Sequence, residues 1–489
     1  MIALACGVGA ALAASLSPVL DLRAEKPLEE VFHTPGDPGQ SIRASTARRL
    51  GILSAAIILA TTIGVAVSPS LTIFGGIALA VAALALIPLA FITVTRLIKP
   101  ISKRIAGSML SIAVIELEAT VTRAVVLAGV AALAIYGSVA IQGARADLIS
   151  GLDTATTEFF DTADLWITTG TNDLTTTSFS ADDLATLVAR APGVTSVRAY
   201  QGGLLDVGKR RLWIRARSPS DPAMLQASQL LKGNLRQATE RLRQSGWAAV
   251  SNGFAAERHL TVGDTFILPT PAGLAPLRVA AITTNVGWPP GAITVNTTDY
   301  RHYWQTDNPT ALEVSLAHGV TPLAGKHAIE RALGSRPGLR VQTTTERVAQ
   351  FEHNLREGLR SLADISTLLL LMAALSLAAA LSTAVWERRG RLASLKTQGF
   401  DRWQLWRSLL LESAIVLTIG AADGALLGIY GHALANRWLR ITTGFPAPFS
   451  IEGLQILLAL LLVAGIALAV MALPGYRAAS VPAATSFND

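Results

Sequence analysis

Charge is what this chain has little of. Asp, Glu, Lys and Arg make up 15% of its 489 residues, against about a quarter in an ordinary soluble domain. Cys6 is the only cysteine. No intrachain disulfide can therefore staple the fold, and Cys6, inside an apolar run, reads as a small core residue. No Gly-x-x-x-x-Gly-Lys-Ser/Thr loop is present to hold nucleotide phosphates, and neither His-Glu-x-x-His nor Gly-x-Ser-x-Gly occurs. The seven histidines lack metal-ligand spacing; His302, beside Tyr303 and Trp304, reads as surface or core of a domain. These absences predict a non-catalytic chain with no cofactor and no metal.

What is there instead is long apolar runs. Hydrophobic residues make up 51% of the chain, and a bilayer core needs about 20 of them in succession as helix. No charge interrupts Leu50–Thr95, which Pro69 divides into a helical hairpin. Further spans are read at Ala124–Ala144, Ile365–Trp386, Ser413–Asn436 and Gly453–Gly475. With the opening run Met1–Leu20, which lacks the basic start of a signal peptide, that makes about seven transmembrane helices. The formal charge of +7 could suggest nucleic acid, but that needs a basic patch on a soluble domain. Here Arg23, Lys26, Arg43, Arg48, Arg49, Arg96, Lys99, Lys103, Arg104, Arg123 and the Arg388–Arg407 group flank the runs. Counting crossings puts them on one side, the cytoplasmic one.

The interval 145–364 is too long for a loop and reads as an inserted α+β domain on the outer side. Ser180 with Asp183 reads as a capping box opening a helix through Leu184, Leu187 and Val188, stopped by Pro192-Gly193. Strands are expected near Val194–Tyr200, Arg211–Arg217 and Leu277–Thr283, and helices at Ala255–Leu260 and Leu323–Leu333. Thr343 with Glu346 forms a second capping box, starting a helix expected to run unbroken into the span at Ile365.

Three features carry mechanism. Trp386–Glu412 follows a span directly, and its basic residues cannot enter the bilayer at about 2.5–3.5 kcal/mol each. It reads as a short basic helix broken by Gly399, with Asp401 capping the next helix: a cytoplasmic knob, or simply a positive-inside anchor. Gly420, Gly424 and Gly428 repeat every fourth residue, so they share a helix face and admit a neighbouring helix closely. Asp423 beside them is an intramembrane polar candidate, or a carboxylate tucked against a neighbouring helix or water.

The stretch Glu387-Arg388-Arg389-x-Arg391-Leu392-Ala393-x-Leu395-Lys396-x-x-Gly399-Phe400-Asp401-x-x-Gln404 resembles the signature of FtsX-like ABC transporter permeases. Pro474–Ala484 resembles their closing motif. Leu184-Ala185-x-Leu187 through Pro192-Gly193-Val194, and Ala256 through Val262-Gly263-Asp264-Thr265, resemble the MacB-like periplasmic core domain. Where the family often has Asn-Pro-Arg before a module's first span, this chain reads Glu118-Ala-Thr-Val-Thr-Arg123. Asp423 also departs from the family's apolar or small residue.

The resemblance implies the second half of a two-module permease. Residues 1–30 would be the last helix and tail of a first module, and 48–97 a linking hairpin. Residues 105–144 would hold a cytoplasmic helix and the first span, 145–364 the outer domain, and 365–489 three spans with the coupling segment at 387–407. It implies a separate cytoplasmic ABC ATPase touching Glu387, Arg388, Arg389, Arg391, Leu395, Lys396, Gly399 and Arg402. The other partners it implies are the lipid bilayer and a first permease module or second permease copy, with no nucleic acid. The bacterial plasma membrane is the expected location. Export or extraction of a lipid, lipoprotein, peptide or drug is one expectation. Mechanical regulation of an outer partner such as a cell-wall hydrolase is another, and an inert remnant a third.

Overall fold

The computed structural model describes residues 44–469, except 69–70, 106, 171–173, 181–182, 286, 335, 337, 362–363, 366, 369–370, 373–374, 376–398, 441–446, 452, 455, 459, 462–463 and 466–467. Two compact units divide these residues. One takes those within Met1–Gly143, Ala363–Ala435 and Ile451–Asp489, the other Ala144–Leu362 and Asn436–Ser450.

The first unit is helical. Its elements are α1 (Ala44–Val67), α2 (Thr72–Ile105), α3 (Gly107–Ala119) and the start of α4 (Val121–Phe160). Uncharged Ala, Leu and Ile runs build them, because straight-chain and small side chains lose little freedom in a helix. The turn between α1 and α2 falls where Pro69 was expected to place it. Thr120 separates α3 from α4, its Oγ1 donating to the Glu116 carbonyl at 2.9 Å. On α1 and α2, Ile52, Leu59, Ile63, Phe74 and Val81 are at least half exposed. A row of such residues suits lipid rather than water.

The sheet unit begins inside α4. It continues through β1 (Leu165–Thr169), α5 (Leu184–Ala189), β2 (Val194–Val207), β3 (Arg210–Arg217), β4 (Leu230–Lys232), α6 (Leu235–Leu242) and β5 (Trp247–Ser251). Next come α7 (Asn252–Glu257), β6 (Thr265–Thr270), β7 (Gly273–Thr283), β8 (Ala292–Asn296), α8 (Thr297–Trp304) and β9 (Ala311–Leu316). It closes with α9 (Pro322–Leu333), β10 (Leu339–Thr343) and α10 (Thr344–Gly358). The remaining long helix, α11 (Arg402–Trp438), belongs mostly to the helical unit.

The strands form one mixed sheet in the order β10-β1-β9-β2-β3-β8-β5-β7-β4, with β6 also on β7. Pairs β3–β8 and β5–β7 are parallel and the others antiparallel. The 14-residue β2 joins two halves. Val194–Tyr200 pairs β9, and Gln201–Val207 pairs β3. Each half has its own core. Ile167, Leu184, Val314 and Ile329 fill one, and Leu212, Val250, Phe266 and Ile293 the other. Between them Phe159, Phe160, Trp166 and Tyr200 form an aromatic cluster, Phe159 and Trp166 stacking at 5.8 Å.

Some expectations need correction. Among the described residues four helices are long and apolar enough to cross a membrane: α1, α2, α4 and α11. The readings at Met1–Leu20, Ile365–Trp386 and Gly453–Gly475 lie wholly or partly outside the described residues. The first capping box does not form as read: Asp183 itself holds the cap position of α5, without a side-chain bond. The second does form, with Glu346 N donating to Thr343 Oγ1 at 3.1 Å and Thr343 N to Glu346 Oε2 at 3.0 Å. Its helix, however, is interrupted by a turn at Leu359, whose carbonyl accepts from Arg145 Nε at 3.3 Å.

Candidate functional site

The glycine face of α11 meets the small-residue face of α4. A methyl group on Gly420 would run into the Ala128 carbonyl, and one on Gly424 into that of Ala132. One on Gly428 would come within 2.9 Å of Val139 Cβ. Ala124, Ala128, Ala131 and Ala132 are at most 3% exposed along this seam. With no side chain on the glycine wall and mostly methyl groups on the other, the backbones approach closely and dispersion contacts replace the hydrophobic drive that lipid does not supply. Leu405, Leu409, Val416 and Leu417 of α11 complete the packing against Leu117, Val121 and Ile135. Asp423 is buried at 4% exposure. Its Oδ2 has no hydrogen-bond partner among the described residues.

Of the expected ATPase-facing residues, Glu387, Arg388, Arg389, Arg391, Leu395 and Lys396 lie outside the described residues. Gly399 and Arg402 are described. Gly399 adopts φ +94°, a conformation that side chains with a Cβ resist. Asp401 then caps α11, its backbone N–H donating to Gln404 Oε1 at 3.2 Å. Trp403 and Trp406 stack at 4.6 Å, and the Arg407 guanidinium lies 5.2 Å from the Trp403 ring. Arg402 and Trp403 are exposed.

The sheet unit holds buried charge that pattern reading missed. Arg215 and Arg217, two apart on β3, point into the interior rather than to solvent. Arg217 pairs with Asp221 at 3.0 Å and with Glu313 at 3.1 Å. Arg198 reaches the other Glu313 oxygen at 3.3 Å. Burial pushes the Glu313 carboxyl above its ordinary range, against the opposing pull of Arg217. It also pushes the phenol of Tyr200 well up. A second missed residue is Asp147, fully buried. It accepts from Asn436 Nδ2 and from Ser450 N and Oγ at 3.0 and 2.8 Å, tying segment 436–450 to α4. The only cue in the sequence was a lone acid just after a span. Among the described residues no three His, Cys, Asp or Glu side chains gather as a metal would need.

No curated protein matches the chain. Among solved structures, the chain is similar to the extracellular domain of a noncanonic ABC-type transporter, YknZ, from Gram-positive bacteria. The two share 12% identity at a TM-score of 0.27, over 37% of this chain and 99% of that one. The FtsX-like permease C-terminal family matches residues 365–483, the segment that carries the Gly399 turn, the glycine face and Asp423.

Proposed function

We propose that the chain is the membrane permease subunit of an ABC transporter. A separate cytoplasmic ATPase hydrolyses ATP and pushes on the segment 387–402. The spans then move the sheet domain, exporting or extracting a lipid, lipoprotein, peptide or drug. The family match at residues 365–483 carries this reading. The exposed Arg402 and Trp403 beside the Gly399 turn support the knob as a contact surface, and the glycine seam supports α4 and α11 moving as one packed pair. The chain itself contributes levers rather than chemistry.

The test is copurification from native membranes with the ATPase encoded nearby. Reversing Arg388, Arg389 and Arg391 to Glu should abolish capture while leaving the sheet domain folded. Undiminished capture by the triple variant would remove this surface from the interface.

A further inference from the structure

The sequence puts Leu152, Ala155, Thr156 and Phe159 at i, i+3, i+4 and i+7 of α4, so they share one face of that helix. Arg347, Gln350, Phe351 and Asn354 repeat the spacing on α10. In the fold both faces border one cavity of about 380 Å³. Facing helices ordinarily close such a gap with interdigitating side chains, because a wall without contacts forfeits dispersion energy. Here the two faces hold a space instead, open where Phe351 and Asn354 meet solvent. Its size falls within the roughly 300 to 1,000 Å³ of small-molecule sites. The residues that line it all belong to the sheet unit.

Two features set the chemistry of what fits there. The first is the rings. Phe159, Phe160, Trp213, Trp288 and Phe351 line the cavity, Phe159 and Phe160 meeting edge to face at 5.0 Å. Such a wall suits another aromatic ring, which gains offset or edge-on contacts beyond its buried area. The second is that the polar atoms at the wall are already engaged. Arg347 Nη1 donates to Gln342 Oε1 at 3.0 Å and Thr168 Oγ1 at 3.4 Å, and its guanidinium lies 5.1 Å from the Phe160 ring. Gln350 Oε1 accepts from Gln342 Nε2 at 2.9 Å, and Trp288 Nε1 donates to the Arg211 carbonyl at 2.7 Å. The Trp213 N–H and both ends of the Gln226 amide have no accessible surface, so the cavity meets the carbon atoms of these residues. Among the described residues no Asp or Glu lines it. A charged ligand would leave water without gaining a counter-ion, a cost that an uncharged one escapes.

We infer that this cavity binds an uncharged aromatic small molecule, held between the α4 and α10 faces with Phe351 at its mouth. The site stands on the sheet unit alone and does not depend on the permease reading.

The experiment uses the full chain in phosphatidylcholine nanodiscs and the uncharged photolabel benzophenone, with adducts mapped by mass spectrometry. Label should concentrate on the peptides containing Leu152–Phe160 and Phe351. Phenylnaphthylamine should compete about tenfold better than anilinonaphthalene sulfonate, which carries the same rings and a negative charge. Ala155→Trp, which fills the cavity, should abolish these adducts and leave any on α1 and α2 unchanged. Phe351→Ser alters a residue 40% exposed, which the fold tolerates. It removes the ring at the mouth and should weaken labelling of Leu152–Phe160 about tenfold at an unchanged thermal midpoint, so the test survives if the tryptophan variant does not fold. Label confined to the apolar helices, equal or better competition by the sulfonate, or labelling of Leu152–Phe160 untouched by Phe351→Ser would each overturn the assignment.

Discussion

Arg217 Nη2 donates to Glu313 Oε1 at 3.1 Å, and neither side chain is more than 3% exposed. The pair joins β3 to β9, two strands separated in the sheet by β2, so it fastens the two halves on either side of that long strand. Removing one partner of a buried pair strands the other charge, at a cost of about 3–5 kcal/mol. Glu313→Ala should therefore lower the denaturant-unfolding free energy of the sheet unit by up to that order, since Arg198 loses its carboxylate partner and Arg217 keeps only Asp221 of its two. A loss below about 1 kcal/mol, the scale of an exposed pair, would mean that the cluster does not hold the halves together.

The seam between α4 and α11 makes a sharper prediction. Gly420→Val and Gly424→Val put side-chain atoms where the Ala128 and Ala132 carbonyls already lie. Backbone cannot yield as a flexible side chain can, so each should cost at least the 1–3 kcal/mol typical of overpacking. Leu426→Val, on a residue 68% exposed in the same helix, should cost almost nothing. Thermal aggregation of detergent-solubilised protein, followed by size exclusion, separates the two outcomes; equal behaviour of all three would remove the seam.

The Thr343–Glu346 box predicts a pH dependence. Lys326 Nζ lies 2.8 Å from Glu346. That bond and the Thr343 N–H hold the Glu346 carboxyl below its ordinary range. A carboxylate depressed in the folded state stabilises it above the unfolded pKa, about 4.3. This contribution is lost as pH falls below that value through the folded pKa. Thr343→Ala should cost about 1 kcal/mol at neutral pH. Glu346→Gln should flatten the acid limb of the unfolding midpoint against pH. A variant whose acid limb tracks the wild type would dissociate Glu346 from it.

Much of the architecture was legible because each signal was local. The hairpin α1–α2 follows from an uncharged run split by Pro69, and α9 from the helix expected at Leu323–Leu333 with Gly334 at its end; the cap from the Thr321 side chain was not read. What escaped depended on distant partners. A strand was expected only near Val194–Tyr200, and the glycines that follow it give no local strand signal. In the fold, Gly202 is needed where the Leu174 carbonyl crosses the strand, and the strand runs on to Val207. The strand was expected at Arg211–Arg217, but nothing local marks Arg215 and Arg217 as buried, since pattern alone assigns charge outward. Their burial is made tolerable by Asp221 and Glu313 for Arg217 and, among the described residues, by Thr294 and two aromatic rings for Arg215. The glycine spacing was visible, but its partners Ala128 and Ala132 were indistinguishable from any other alanine in α4.

Gly399 offers the most direct test of the knob. Its φ of +94° lies where an L side chain costs about 1–2 kcal/mol. On the proposed coupling mechanism, this turn orients the basic residues that precede it. Gly399→Ala should therefore re-aim those residues without touching them. On the proposed coupling mechanism, recovery of the ATPase by copurification should fall about tenfold, the equivalent of 1.4 kcal/mol. The thermal midpoint of the sheet unit should stay as it was, because Gly399 belongs to the helical unit. Asp401→Ala separates direction from helix stability. It removes the side chain at the cap position but leaves the backbone N–H that Gln404 accepts from, so it should weaken α11 at its first turn and reduce ATPase recovery less than Gly399→Ala does. If Asp401→Ala is the more damaging of the two, the contact depends on an intact helix start rather than on the direction set by the glycine turn.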